Sequence, residues 1–76
     1  VVLADKLHNV RSVLRDYRSE GESTWRRFSG GREGTLWYYR AMTEAVRRSG
    51  RPRLQSLLRD LDEAVTELER AAGASG

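Results

Sequence analysis

Residues 54–72 read LQSLLRDLDEAVTELERAA, in which Leu54, Leu57, Leu58, Leu61, Val65, Leu68 and Ala72 recur at intervals of one, three and four. An α-helix repeats every 3.6 residues, so this spacing gathers all seven side chains on one face. Asp60, Asp62, Glu63, Glu67 and Glu69 cover the remaining surface. A strand would need apolar residues at every second position, and no such alternation occurs anywhere in the chain. Upstream, Ser49-Gly50 marks a helix stop, and Pro52 suits the first turn of the helix that follows, where its missing amide hydrogen costs nothing.

Two further helical patterns precede this one. A second helix is expected over residues 32–48, with Tyr38, Tyr39, Met42, Ala45 and Val46 as its apolar stripe and Arg40, Glu44 and Arg47 on the opposite side. A first helix is expected over residues 2–18, with Leu3, Leu7, Val10, Val13, Leu14 and Tyr17 facing inward. Between them, residues 21–28 read as a loop and a short helical turn with Ser23 as its cap. Trp25 and Phe28 anchor that turn on the core, and Gly30-Gly31 ends it. The small-residue tail, residues 71–76, is expected to be flexible and to fray. The fold class is therefore all-α, a small helical bundle of three long helices plus a short helical turn.

Composition bounds the function. Seventy-six residues make one small domain, and the absence of cysteine excludes a disulfide scaffold and any cysteine-based zinc site. No apolar run approaches the roughly 20 residues of a membrane-spanning helix, and cytoplasm is the default location. The apolar opening VVLA meets Asp5 and Lys6 at once, too soon for a signal peptide. Residues 1–50 carry a net charge of +4 and residues 51–76 a net charge of −1. This mild basic surplus suits an anionic ligand better than it suits nucleic acid. The chain starts with Val inside an amphipathic pattern, which suggests a piece of a longer polypeptide.

One constellation on the first helix carries possible chemistry. Asp5, Asn9, Ser12 and Asp16 follow one another at intervals of four, three and four, so they share a helix face, with His8 beside them. A carboxylate with a neighbouring amide and hydroxyl suits a hard cation or a phosphate-bearing ligand. An Asp-x-x-His pair on a helix is more often a solvated surface pair. One Asp and one His cannot complete a coordination shell, for which a catalytic metal takes about three protein ligands. No phosphate loop is present, because Gly30-Gly31-Arg32-Glu33-Gly34 lacks the Lys-Ser/Thr that such a loop requires.

The segment Ala4-Asp5-Lys6-Leu7-His8-Asn9-Val10-Arg11-Ser12 closely resembles the A-D-[KR]-L-H-N-x-R-[ST] segment of metal-dependent HD phosphohydrolases, in the branch related to bacterial guanosine tetraphosphate (ppGpp) hydrolases. Trp25-Arg26-Arg27-Phe28 and the stretch from Gly31 to Ala41 resemble its continuation, so that the likeness spans most of residues 2–70. It implies that residues 1–70 are the C-terminal helices of a larger HD-domain bundle hydrolysing a phosphorylated nucleotide or related phosphoester. It also implies a divalent metal, Mn²⁺ or similar, with Asp5 as its last ligand in chain order. Asn9 and Ser12 then contact substrate, and His8 is a supporting or structural residue. The family's histidines and His-Asp doublet are absent from these 76 residues and would precede Val1, so no residue here is catalytic unaided and the segment alone is expected to be inactive.

Two other readings compete. Exposed apolar helix faces could make the chain a non-catalytic interaction module or a homo-oligomer. Trp25, Phe28, Trp37, Tyr38 and Tyr39, interleaved with Arg26, Arg27, Arg32 and Arg40, could stack on nucleic-acid bases, although aromatics at helical spacing are more often core.

Overall fold

The computed structural model describes residues 3–75. Three long helices, α1 (Leu3–Glu20), α2 (Gly31–Ser49) and α3 (Gln55–Ser75), are joined by a 3₁₀ segment over Gly21–Arg27 and a 3₁₀ turn over Pro52–Leu54. Among the described residues there is no strand, and the fold is an all-α bundle.

The apolar stripe of α3 forms the spine of the core. Leu61, Val65, Leu68 and Ala72 are fully buried, with Leu58 and Ala64 beside them. Leu54 and Leu57 are partly buried at the edge of the cluster. From the other side α1 contributes Leu3, Leu7, Val10, Val13, Leu14 and Tyr17, the six positions its spacing indicates. Arg18 approaches Glu67 at 3.8 Å, and Leu3 and Leu54 line one pocket, so α1 runs parallel to α3. The second helix runs antiparallel to α3, with Arg32 Nη1 donating to the Ala72 carbonyl at 3.1 Å and Arg47 Nη2 to Asp62 at 3.1 Å. Because Ala72 lies in the last turn of α3, the Arg32 bond also satisfies a carbonyl near the helix end.

Chain reversals fall where glycine permits them. Gly21 (φ +69°) and Gly50 (φ +62°) adopt the left-handed conformation directly after α1 and α2, as a helix C-terminus commonly requires. Ser23 does not cap the 3₁₀ segment. Its Oγ donates back to the Glu20 carbonyl at 3.0 Å and so serves the end of α1. The third helix continues through Ser75, further than the small residues from Ala71 onward suggest.

The second helix is rotated relative to its apolar pattern. Thr35, Tyr39 and Thr43 face the core, while Met42 and Val46 pack at its margin. Tyr38 is 47% exposed, its neighbour Trp37 is 72% exposed, and Ala45 is also exposed, so the expected stripe is only half correct. The physical reason is Arg40, which turns toward α3. Its guanidinium grips Glu69 with two bonds (Nε to Oε2 at 3.1 Å and Nη2 to Oε1 at 2.8 Å), and it donates to Asp62 at 2.8 Å and Thr66 at 3.1 Å. A two-pronged guanidinium–carboxylate pair fixes orientation as well as distance. Thr43 tolerates burial because its Oγ1 donates to the Tyr39 carbonyl at 2.8 Å, within the same helix. Glu44 accepts from Arg40 and Arg47.

Its hydrogen bonds to Glu69 and then to Asp62 raise the Arg40 pKa further, and the Arg40 bond holds the Asp62 carboxyl below its usual value. Since the folded state binds that proton less readily than the unfolded chain, the contribution of Asp62 is complete above about pH 4 and is lost as pH falls through the depressed folded value. Arg40→Met, which keeps an apolar stem and removes every donor, is expected to lower urea stability by about 1–3 kcal/mol. It should also flatten the loss of stability below about pH 4. An unchanged midpoint with an unchanged pH profile would show that the core alone orients α2.

Candidate functional site

Helix α1 places the singled-out residues on the sides its periodicity dictates. Asp5, His8 and Asn9 are exposed, and Ser12 and Asp16 are half-buried. Both α1 and α2 lean on α3 and make little contact with each other. The gap between them opens as a groove of about 250 Å³, bordered by Asn9, Ser12, Val13 and Asp16 from α1 and by Arg27, Phe28 and Tyr39. Asn9 and Ser12 therefore come together at one groove. Asp5 lies one helical turn before Asn9 and is not part of the lining, and neither is His8.

The 3₁₀ segment closes one end of the groove. Gly21 reverses the chain, and Tyr17 donates to Glu22 at 2.7 Å, tying the segment back to α1. Trp25 is buried with its ring 5.3 Å from that of Tyr17 and 6.4 Å from that of Phe28. This burial outweighs an unfavourable feature: Thr24 Oγ1 and Trp25 Nε1 are enclosed without a hydrogen-bond partner among the described residues. The reversal returns Arg27 to α1, where its Nη2 donates to Asp16 Oδ2 at 2.7 Å. The same guanidinium stands 5.7 Å from the Phe28 ring centroid. Ser12 Oγ accepts from Arg15 at 3.3 Å.

A second hollow of about 280 Å³ adjoins the first, sharing Phe28 and Tyr39 and extending to Gly30, Gly34 and Tyr38. A Cβ on Gly30 would stand 3.0 Å from the Gly34 backbone, so a larger residue there would have to displace the first turn of α2 by a few tenths of an ångström. Lys6 reaches over from α1, with its ammonium 5.7 Å from the Tyr38 ring. Burial raises the Tyr39 pKa, with Lys6 opposing that shift, and the phenol stays neutral at physiological pH.

Among the described residues no three His, Asp or Glu side chains gather into a metal-binding group. Asp5 is a single exposed carboxylate with only the exposed His8 near it one turn on, so these residues do not by themselves make a divalent-metal cage. The base-stacking set does not assemble either. Trp25 and Tyr39 are buried, Arg40 is committed to α3, and Arg32 is bonded to Ala72. No described helix is long and apolar enough to cross a membrane. Compared with protein-family models, with curated proteins and with solved structures, the chain has no significant match.

Sequence spacing brings Asn9, Ser12 and Asp16 to one face but gives no sign of Arg27, which reaches them only through the turn at Gly21. The Arg27–Asp16 pair is short, yet the Arg27 side chain is 53% exposed. A double-mutant cycle with Asp16→Asn and Arg27→Gln is expected to give a coupling of at most about 1 kcal/mol in urea unfolding. A coupling well above that would make the pair a structural pin.

Proposed function

We propose that the chain forms the late helices of a metal-dependent HD-type phosphohydrolase acting on a phosphorylated nucleotide or related phosphoester. One observation carries the reading: Asn9 and Ser12, an amide and a hydroxyl, open on the same groove one to two turns beyond a carboxylate, Asp5. That carboxylate makes no hydrogen bond or ion pair with another described residue and is therefore available to an external partner. In this reading Asp5 supplies one ligand to a divalent ion, Mn²⁺ by the resemblance, whose other ligands come from outside these 76 residues. Asn9 donates to and orients the nucleotide, Ser12 adds a hydroxyl further along the groove, and His8 supports the turn without touching the ion.

A second reading has its own observation. Trp37 and Tyr38 are exposed on α2 beside Gly34, Ala41 and Ala45, an uncharged strip on a chain in which 33% of residues are charged. Such a surface suits contact with another polypeptide, including a second copy of the chain. Sedimentation at several concentrations separates the two, since a strict monomer leaves self-association without support.

For the hydrolase reading, Asp5→Ala in the intact polypeptide is expected to lower Mn²⁺-dependent hydrolysis of ppGpp by about 100-fold or more. Because Asp5 is exposed, far-UV circular dichroism should be unchanged. The 76-residue chain alone should show no appreciable turnover. A wild-type rate in the Asp5→Ala protein would remove Asp5 from the site and the hydrolase reading with it.

A further inference from the structure

Resting on the second reading, that α2 meets another polypeptide, we propose that the partner is a second copy of this chain, packed antiparallel along the outer face of α2 with Ala41 at the twofold axis. That face consists of Gly34, Trp37, Tyr38, Ala41, Ala45 and Arg48, whose spacing keeps them on one side of the helix. Gly34 is half-buried and the other five are exposed. The outward turn of the aromatic pair is actively held. Arg40 fixes the rotation of α2 through its bonds to Asp62, Thr66 and Glu69, so a defined set of contacts keeps Trp37 and Tyr38 in water.

Two features of the strip point to self-pairing. Size is the first, because the bulky side chains lie on one half and the small ones at the centre and beyond. Turning a second copy end over end about Ala41 brings Tyr38 over Ala45 of that copy and Trp37 beside its Ala41. Bulk then meets space, and symmetry repeats the match at the other end. Charge is the second feature. Glu33 stands at the N-terminal end of the strip and Arg48 at the C-terminal end, about 22 Å apart at 1.5 Å per residue. Both are exposed, and neither makes a hydrogen bond or ion pair with another described residue. The same rotation sets each Glu33 against Arg48 of the other copy, where Gly34 leaves room for the guanidinium. A parallel alignment does the opposite, since it sets Trp37 level with Trp37 and like charges level with each other. Opposite charges at the two ends of one strip are complementary to that strip reversed.

A single helix pair lies at the small end of specific interfaces, so sedimentation equilibrium of the 76-residue chain should show a monomer–dimer equilibrium with a Kd on the order of 100 µM. Ala41→Glu places a carboxylate opposite its own copy at the twofold axis and should abolish the dimer. Far-UV circular dichroism should be unchanged, because Ala41 is exposed and glutamate is a good helix former. Glu33→Arg and Arg48→Glu should each weaken association by about fivefold, and the two together should restore it. Single reversals without effect, or a double variant no better than either single one, would overturn the antiparallel register. A strict monomer at millimolar concentration would overturn self-pairing and leave the strip open to a different polypeptide. A dimer indifferent to Ala41→Glu would overturn self-pairing through α2 and remove the reading it rests on as well. No arm uses metal or turnover, so the role of Asp5 is judged separately.

Discussion

Arg40 lies where α2 crosses α3, and its guanidinium donates at once to Asp62, Thr66 and Glu69. A side chain held by three partners on two successive turns of another helix leaves α2 little freedom to rotate. Thr35, Tyr39 and Thr43 are consequently turned inward, and Trp37, Tyr38 and Ala45 outward. Hydrophobic burial alone would favour the reverse for the tyrosine–alanine side, since Thr35 and Thr43 gain less from leaving water than Tyr38 does. The ion-pair geometry selects the orientation, and the satisfied Thr43 hydroxyl makes it affordable. It is also the least salt-proof part of the fold, because the Arg40, Asp62 and Glu69 side chains all retain contact with solvent.

The groove is a by-product of the same arrangement. With α1 and α2 both packed on α3 and scarcely on each other, a cleft must remain between them. The 3₁₀ segment fills only one end of it, where Trp25 is driven into the core against Tyr17 and draws Arg27 and Phe28 along. Polar groups of three elements thus meet at a place none of them builds alone. Asn9 and Ser12 owe their position to the 3.6-residue repeat, Arg27 to the reversal at Gly21, and Tyr39 to the rotation of α2.

The first and third helices were legible in the sequence because their inward faces are uniformly aliphatic or aromatic, and all six predicted α1 positions are buried. The second helix was legible as a helix and misread in phase. Its inward side includes two threonines, which hydropathy assigns to solvent, and its orientation depends on carboxylates 22 and 29 residues away. At the candidate site, spacing alone grouped Asn9, Ser12 and Asp16, since a helix turns local pattern into local geometry. Arg27 was not legible, because it lies eleven residues beyond Asp16 and its place depends on a left-handed glycine, Gly21, and a buried indole, Trp25, in between.

The two tryptophans ended in opposite environments, Trp25 enclosed at 5% exposure and Trp37 at 72%. An indole emits toward the blue in a dry surrounding and toward the red in water, so the chain carries two built-in optical reporters. The short-wavelength component follows the integrity of the core around the 3₁₀ segment. The long-wavelength component follows whatever comes to rest on α2, and each can be read in solution without attaching a dye.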